Sequence, residues 1–252
     1  LHGVQSAGAT VLRPFEVASE RVARPFRDAY GWFAGLIHAK SENTRLREQV
    51  DRLTYQATQN ATAARQNADL RRQLNYIGSA NFPEGFDQVT TEVISRPPSE
   101  FQQQVLIAAG SSSGIRLDYA VVTADGLVGK ISSVAHSTSK VTLLTDPNLA
   151  VSALDVNTNA TGLVGHGEGH GTLTLDRVQK SQVLKTGDTI VTQSWKFENL
   201  SSIYPANIQI GYVSGASQSE VDLYWQAQVT PRVHFDSLRT VIVLIPKPRN
   251  RP

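Results

Sequence analysis

Leu70-Arg71-Arg72-Gln73-Leu74-Asn75-Tyr76-Ile77-Gly78-Ser79-Ala80-Asn81-Phe82-Pro83-Glu84-Gly85 is the stretch in which the chain changes its period. Up to Ile77, apolar residues recur three and four apart, the spacing of one helix face. Gly78 supplies a helix stop, and Pro83 and Gly85 mark a loop. Beyond Val89 the apolar residues alternate in short runs broken by Gly, Pro, Asn and Asp, the pattern of strands and turns. The chain is therefore read as mainly β, preceded by a long N-terminal α-helix. Such a design spaces, pairs and presents other molecules more readily than it turns over a substrate.

Upstream of the switch, residues 41–78 carry a coiled-coil pattern. Asn43, Val50, Ala57 and Ala64 are seven apart, and Leu46, Leu53, Asn60 and Asn67 fill the complementary row. After Asn67 the register slips, and Leu70, Leu74 and Ile77 follow a phase shifted by three residues. Ser41 is the expected N-cap. Arg47–Asp51, Glu48–Arg52 and Arg65–Asp69 are spaced as i,i+4 ion pairs. Leu46, Val50, Leu53, Ala57, Leu70, Leu74 and Ile77 form the expected dimerisation seam. It is thin, because Ala and Asn bury little, so it fits a weak parallel dimer or a single solvated helix.

Residues 1–40 read as a broken amphipathic helix. Arg13-Pro14-Phe15 recurs as Arg24-Pro25-Phe26 eleven residues later, three helical turns on. The prolines are expected to kink or restart the helix. Its Phe stripe, with Tyr30 and Trp32, suits either lipid headgroups or a partner helix.

Downstream, short strands are expected at 89–95, 104–109, 119–123, 127–135, 140–145, 160–164, 171–176, 189–193, 207–214, 221–229 and 240–245. Val221, Leu223, Trp225, Ala227 and Val229 alternate as in a half-buried strand, whereas Val241 to Ile245 is continuously apolar and reads as buried on both faces. Arg116-Leu117-Asp118-Tyr119-Ala120-Val121-Val122-Thr123 resembles Lys185-Thr186-Gly187-Asp188-Thr189-Ile190-Val191-Thr192, and a Gly-containing strand follows each. The repeat predicts two related β subdomains. The basic, Pro-rich residues 246–252 are expected to be disordered.

Composition narrows the function. A net charge of +2 over 252 residues argues against a nucleic-acid binder. The absence of Cys excludes disulfides and cysteine-ligated zinc and suits an oxidising compartment. No run of about 18 apolar residues is present. With no Met anywhere, residue 1 is expected to lie downstream of the native start, leaving room for a membrane anchor before it.

Several blocks resemble one family. Ser41-Glu42-Asn43-x-Arg45-Leu46-Arg47-Glu48 and Thr123-Ala124-Asp125-Gly126-Leu127-Val128-Gly129-Lys130-Ile131 resemble segments of the rod-shape-determining MreC family. The most specific match is Leu143-Leu144-Thr145-Asp146-Pro147-Asn148-Leu149-Ala150-Val151-Ser152-Ala153. Gly162-Leu163-Val164-Gly165, Lys185-x-Gly187-Asp188-x-Ile190-Val191-Thr192 and Val229-x-Pro231-x-Val233-x-Phe235-x-x-Leu238 follow in family order. The resemblance implies a juxtamembrane helix at 1–40, a dimerising helix at 41–78, tandem six-stranded β-barrels over 79–245 and a basic tail at 246–252. It implies a non-catalytic scaffold of cell-wall elongation, anchored by one span in the inner membrane with this region outside the cytoplasm. The implied partners are a monofunctional penicillin-binding transpeptidase, MreD, RodA, MreB and a second copy of the chain, with no cofactor. Residues 193–204 depart from the family pattern, which has a Gly-rich turn there. Trp195, Phe197 and Tyr204 crowd this loop, as anchors for a partner or as a plug for a barrel end.

Other chemistry is weaker. His166-Gly167-Glu168-Gly169-His170 has a metal-ligand spacing, but alternating glycines preorganise ligands poorly. Asp125-Gly126, Asp146-Pro147-Asn148 and Gly187-Asp188 have turn chemistry. Two further function classes stay open: a periplasmic adaptor of a transport complex, which needs two antiparallel helices, and a metal-dependent enzyme at His166, Glu168 and His170.

Overall fold

The computed structural model describes residues 13–95, 103–169, 171–197, 200–217 and 224–247, with side chains from Lys40 onward except at 196–197, 200–201 and 216–217. The expectations for residues 1–12, for His170, for the side chains of Val221 and Leu223, for the Phe stripe before Lys40 and for the tail beyond Lys247 lie outside the described residues. The chain falls into two compact units, residues 1–66 and 67–252.

The first unit is helix. α1 (Arg13–Ile77) runs on without a break and ends in the second unit. The helix is not interrupted at the prolines, so of the two expectations the restart does not occur. Pro14 sits in the first turn, where no N–H is required. Pro25 forfeits a single hydrogen bond, and the Ala, Arg and Glu residues around it are strong helix formers. Ser41 is likewise interior, so it is not the N-cap of the helix. Every residue from 40 to 66 is exposed. This stretch therefore has no core of its own among the described residues.

The second unit is β. β1 (Phe86–Ser95), β2 (Gln104–Ile107), β3 (Ala120–Thr123), β4 (Gly126–Val134) and β5 (Ser139–Leu143) come first, then β6 (Ala150–Asp155), β7 (Thr161–His166), β8 (Leu173–Gln179) and β9 (Thr189–Thr192). β10 (Lys196–Phe197), β11 (Leu200–Ser201), β12 (Gln209–Ser217), β13 (Tyr224–Pro231) and β14 (Thr240–Pro246) complete the set. Two closed six-stranded barrels result, in the orders β1-β14-β3-β4-β5-β2 and β12-β13-β8-β7-β6-β9, with β10 and β11 forming a separate hairpin. All pairs within the barrels are antiparallel. Closure leaves neither barrel with a free edge.

The two orders are related. Matching β3 to β9 and β4 to β12, as the sequence repeat requires, matches β5 to β13, β2 to β8, β1 to β7 and β14 to β6. The barrels are thus circular permutations of one design. Barrel 2 uses its strands in chain order, whereas barrel 1 receives its equivalent of the first strand from the C-terminal end of the chain. Barrel 2 is inserted between β5 and β14 of barrel 1.

The repeat extends to atomic detail. A Cβ on Gly129 in β4 would stand 1.9 Å from the Thr142 carbonyl oxygen in β5. On Gly211 in β12 it would stand 2.1 Å from the Thr230 carbonyl oxygen in β13. In each barrel a glycine lets the next strand cross close enough to close a small cylinder, and a bulge lies nearby on the preceding pair.

Most expected strands form, and β14 is continuously buried from Val241 to Leu244, as its apolar run predicts. In β13, Ala227 and Val229 are buried between exposed neighbours, in keeping with the predicted alternation. β6 lies outside the strand ranges named from the sequence. Its inward residues are Val151, Ala153 and Asp155, and the inward carboxylate breaks the hydrophobic pattern. Asp155 is fully buried and accepts from the Asn157 N–H and the Thr158 hydroxyl. Nearby Asp188 accepts from the Asn157 amide and the Lys185 N–H. Burial pushes the Asp188 carboxyl up, but Asn157, the Lys185 N–H and a hydrogen bond with Asp155 together hold it below the usual carboxylate range.

Replacing Gly129 or Gly211 by Ala should each cost about 2–4 kcal/mol, because backbone must move in a closed barrel. Gly215 has open space around its Cβ position, so Gly215→Ala should change stability by no more than about 0.5 kcal/mol. Urea denaturation of the three variants checks this.

Candidate interaction surfaces

The helix presents the first candidate surface. Leu46, Val50 and Leu53 are 55%, 60% and 57% exposed. Ala57 is exposed too, so the heptad ladder of the first unit is uncovered among the described residues. Threonines flank it and turn their hydroxyls inward, Thr58 onto the Thr54 carbonyl and Thr62 onto the Thr58 carbonyl.

In the second unit the last turns of α1 face two ways. Leu70 and Leu74 are exposed, as a seam requires. Ile77 is different: half-buried, it packs together with Tyr76 on the barrel core. Tyr76 meets Phe82 edge-on at 5.7 Å. Gln73, which carries no signal in the heptad pattern, is 5% exposed and donates from Nε2 to the Thr240 carbonyl of β14. Asp69 pairs with Arg72 rather than with Arg65, and Arg72 also reaches Asp125 at 3.8 Å. Gln73, Tyr76 and Ile77 lie at i, i+3 and i+4, a second face that docks the helix end on barrel 1.

The loop at 193–204 is the second candidate. It carries the β10–β11 hairpin. Thr192 roots its base: the Ile208 N–H donates to the Thr192 hydroxyl and the Asn207 N–H to the Thr192 carbonyl. Trp195 is half exposed, and its carbonyl accepts from the Ser202 N–H. The Phe197 side chain lies outside the described residues. Tyr204 is 6% exposed. It packs inward, where burial first and the charge of Asp118 second push its phenol up.

Between the barrels lies a third feature, a cleft of about 760 Å³. Barrel 1 lines it with Phe86, Tyr119 and Leu244, and the 193–204 loop with Ile203 and Tyr204.

The sequence-marked metal ligands do not converge among the described residues. His166 places Nδ1 2.8 Å from the Thr145 carbonyl, and Glu168 is exposed on a hairpin tied by Thr172 to Gly169.

Comparison with known proteins places these surfaces in a family context. Residues 93–245 match the family model "Rod shape-determining protein MreC, barrel core". The cell shape-determining protein MreC of Listeria monocytogenes is 30% identical over 230 residues, covering 88% of this chain and 75% of that protein. The chain spans 59% and 63% of the length of the proteins of the same name from Cereibacter sphaeroides and Escherichia coli. A solved structure of Listeria MreC superimposes with a TM-score of 0.58 at 27% identity, covering 84% of this chain and 99% of that one. MreC from Helicobacter pylori, solved in complex with Penicillin-Binding Protein (PBP2), superimposes with a TM-score of 0.52 at 18% identity, covering 65% and 99%.

The exposed ladder generates a direct test. A pair brings six such side chains to the seam, three from each copy, and half-burying them contributes about 6 kcal/mol. Replacing Leu46, Val50 and Leu53 together by Ser should therefore weaken self-association by more than about 1000-fold, read by sedimentation equilibrium. Thermal unfolding of the barrels should not move. Unchanged association would show that the helix does not pair through this face.

Proposed function

This chain belongs to the MreC family of cell shape-determining proteins, and from that premise we propose that it is a non-catalytic scaffold of cell-wall elongation. In this reading α1 pairs two copies of the chain, and the barrels bind a monofunctional penicillin-binding transpeptidase. Barrel contacts made only in the active conformer of the transpeptidase would raise the population of that state, which is activation without chemistry. The chain would work on the extracytoplasmic side of the inner membrane, held there by a single span. MreD, RodA and MreB are further partners that family membership suggests.

The observation that carries this reading is the division of the molecule. Residues 40–66 expose an apolar ladder that packs on nothing among the described residues. The barrels have paired their strands and buried most of their aliphatic residues, leaving outer faces and loops such as the one bearing Trp195 for recognition. That the Helicobacter pylori MreC was solved in complex with PBP2 supports a penicillin-binding protein as the kind of partner.

The test is binding to the extracytoplasmic part of the elongation transpeptidase of the same organism. The whole chain and a chain beginning at Asn67 should both bind saturably, since recognition is assigned to the barrels. The whole chain should bind a surface-immobilised transpeptidase more tightly, because pairing makes it bivalent. Absence of binding by both would refute the scaffold reading.

A further inference from the structure

The sequence repeat aligns Thr123 with Thr192, the last residues of β3 and β9. In barrel 1 the Thr123 hydroxyl accepts from the Asp125 N–H, and β4 begins at the next residue, Gly126. In barrel 2 the Thr192 hydroxyl accepts from the Ile208 N–H, and β12 begins at the next residue, Gln209. The two threonines close the same turn. Thr123 closes it over Ala124 alone, whereas Thr192 closes it over residues 193–207. Barrel 1 shows that the design needs no such excursion to close. Ordering a long loop costs backbone entropy, and long excursions from a compact domain are usually functional.

The excursion is held still. The Thr192 hydroxyl donates to the Pro205 carbonyl, and the Thr192 carbonyl accepts from the Asn207 N–H. The Gln193 N–H donates to the Ser152 carbonyl of β6, and the Ser202 N–H to the Trp195 carbonyl. The Ser202 hydroxyl accepts from the Tyr204 N–H and donates to the Tyr204 carbonyl. Tyr204 and Pro205 are buried, so the loop is pinned from beneath. On this fixed frame two large apolar residues face outward: Trp195 is 51% and Ile203 42% exposed. Trp225 of β13 is treated differently, being half-buried with its Nε1–H donated to the Lys180 carbonyl. A loop that buries a tyrosine and a proline to hold a tryptophan in water is preorganised for docking. Little freedom is lost when it binds, and Trp is enriched among the residues that carry binding energy.

The chemistry favours a protein surface over a lipid one. Ile203 shares a cleft wall with Asp118 and Glu84, both exposed carboxylates, which anionic headgroups repel.

We propose that residues 193–207 are an inserted recognition loop of barrel 2, and that Trp195, with Ile203, anchors the chain in an apolar pocket on the extracytoplasmic part of the transpeptidase. This rests on the scaffold reading above and adds where the partner is gripped. The departure of residues 193–204 from the family pattern makes the grip particular to this chain and its own partner.

The test is calorimetric titration of the whole chain and its variants with the extracytoplasmic part of the transpeptidase of the same organism. Trp195→Ala should weaken binding about 30-fold or more, the loss expected of an anchor residue. Ile203→Ser should weaken it about fivefold, as a contact beside the anchor does. Val183 is similarly exposed on another loop of barrel 2, at 55%, and Val183→Ser should leave affinity within about twofold, as contacts away from an anchor do. Melting temperatures should not move, because the replaced side chains are exposed. Binding by the whole chain with equal binding by Trp195→Ala would overturn the anchor and leave the scaffold reading standing. No binding by the whole chain would overturn both. Two rival occupants have their own readouts: co-sedimentation with phosphatidylglycerol vesicles, and self-association by sedimentation equilibrium. Dependence of either on Trp195, with transpeptidase binding unchanged, would overturn the proposal in favour of lipid or of a second copy.

Discussion

The pairing of β1 with β14 is the constraint on which the rest of the structure depends. Seven residue pairs, from Phe86 with Pro246 to Glu92 with Thr240, join segments that lie at opposite ends of the β region. On its other side β14 meets β3 through Ile242 with Val122 and Val243 with Val121. Without β14, barrel 1 has two open edges and its inner residues face water. The Thr240 carbonyl of the same strand accepts from Gln73 and so ties down the end of α1. Its other end, at Pro246, lines the inter-barrel cleft. Helix attachment, barrel closure and cleft geometry all pass through one seven-residue strand.

Insertion of one barrel into a permuted copy of itself explains how the barrels are coupled. Barrel 2 is contiguous in sequence from β6 to β13, and barrel 1 closes only when the chain returns from it. The barrels also touch where β4 begins: a Cβ on Gly126 would stand 2.3 Å from the Gln209 carbonyl oxygen of β12. A two-domain chain joined by one linker could hinge freely. Here two connections, one on each side of β6–β13, and a close backbone contact restrain the pair. A scaffold that presents faces of both barrels to one partner gains from that restraint, because less freedom is lost on binding.

Much of this was legible in the sequence. Gly78 ends the helix because the helical period stops there, and the run Val241 to Ile245 announces a strand covered on both sides. The repeat around Asp118 and Gly187 gave two related subdomains, and the family blocks gave their barrel form. What escaped did so for physical reasons. β6 hides because Asp155 occupies an inward position, where the strand pattern expects an aliphatic residue. The permutation is invisible because pairing of β1 with β14 is a fact of space, not of sequence neighbourhood. Composition groups Tyr204 with Trp195 and leaves both an outward anchor and an inward plug open, because it marks aromatics in a loop without telling which turn inward. Ile77 fits two helical faces, one with Leu70 and Leu74 and one with Gln73 and Tyr76, and spacing alone does not choose. A buried Gln on a helix that otherwise reads as solvated gives no signal at all.

The central claim, that closure by β14 holds barrel 1 together with the helix end, is tested most directly by native-state hydrogen exchange across a denaturant series. Amides of β1, β3, β14 and residues 73–77 should converge on one opening free energy and exchange as a single cooperative unit. Independent opening of β14 at a lower free energy, with β1 and β3 still protected, would contradict the account.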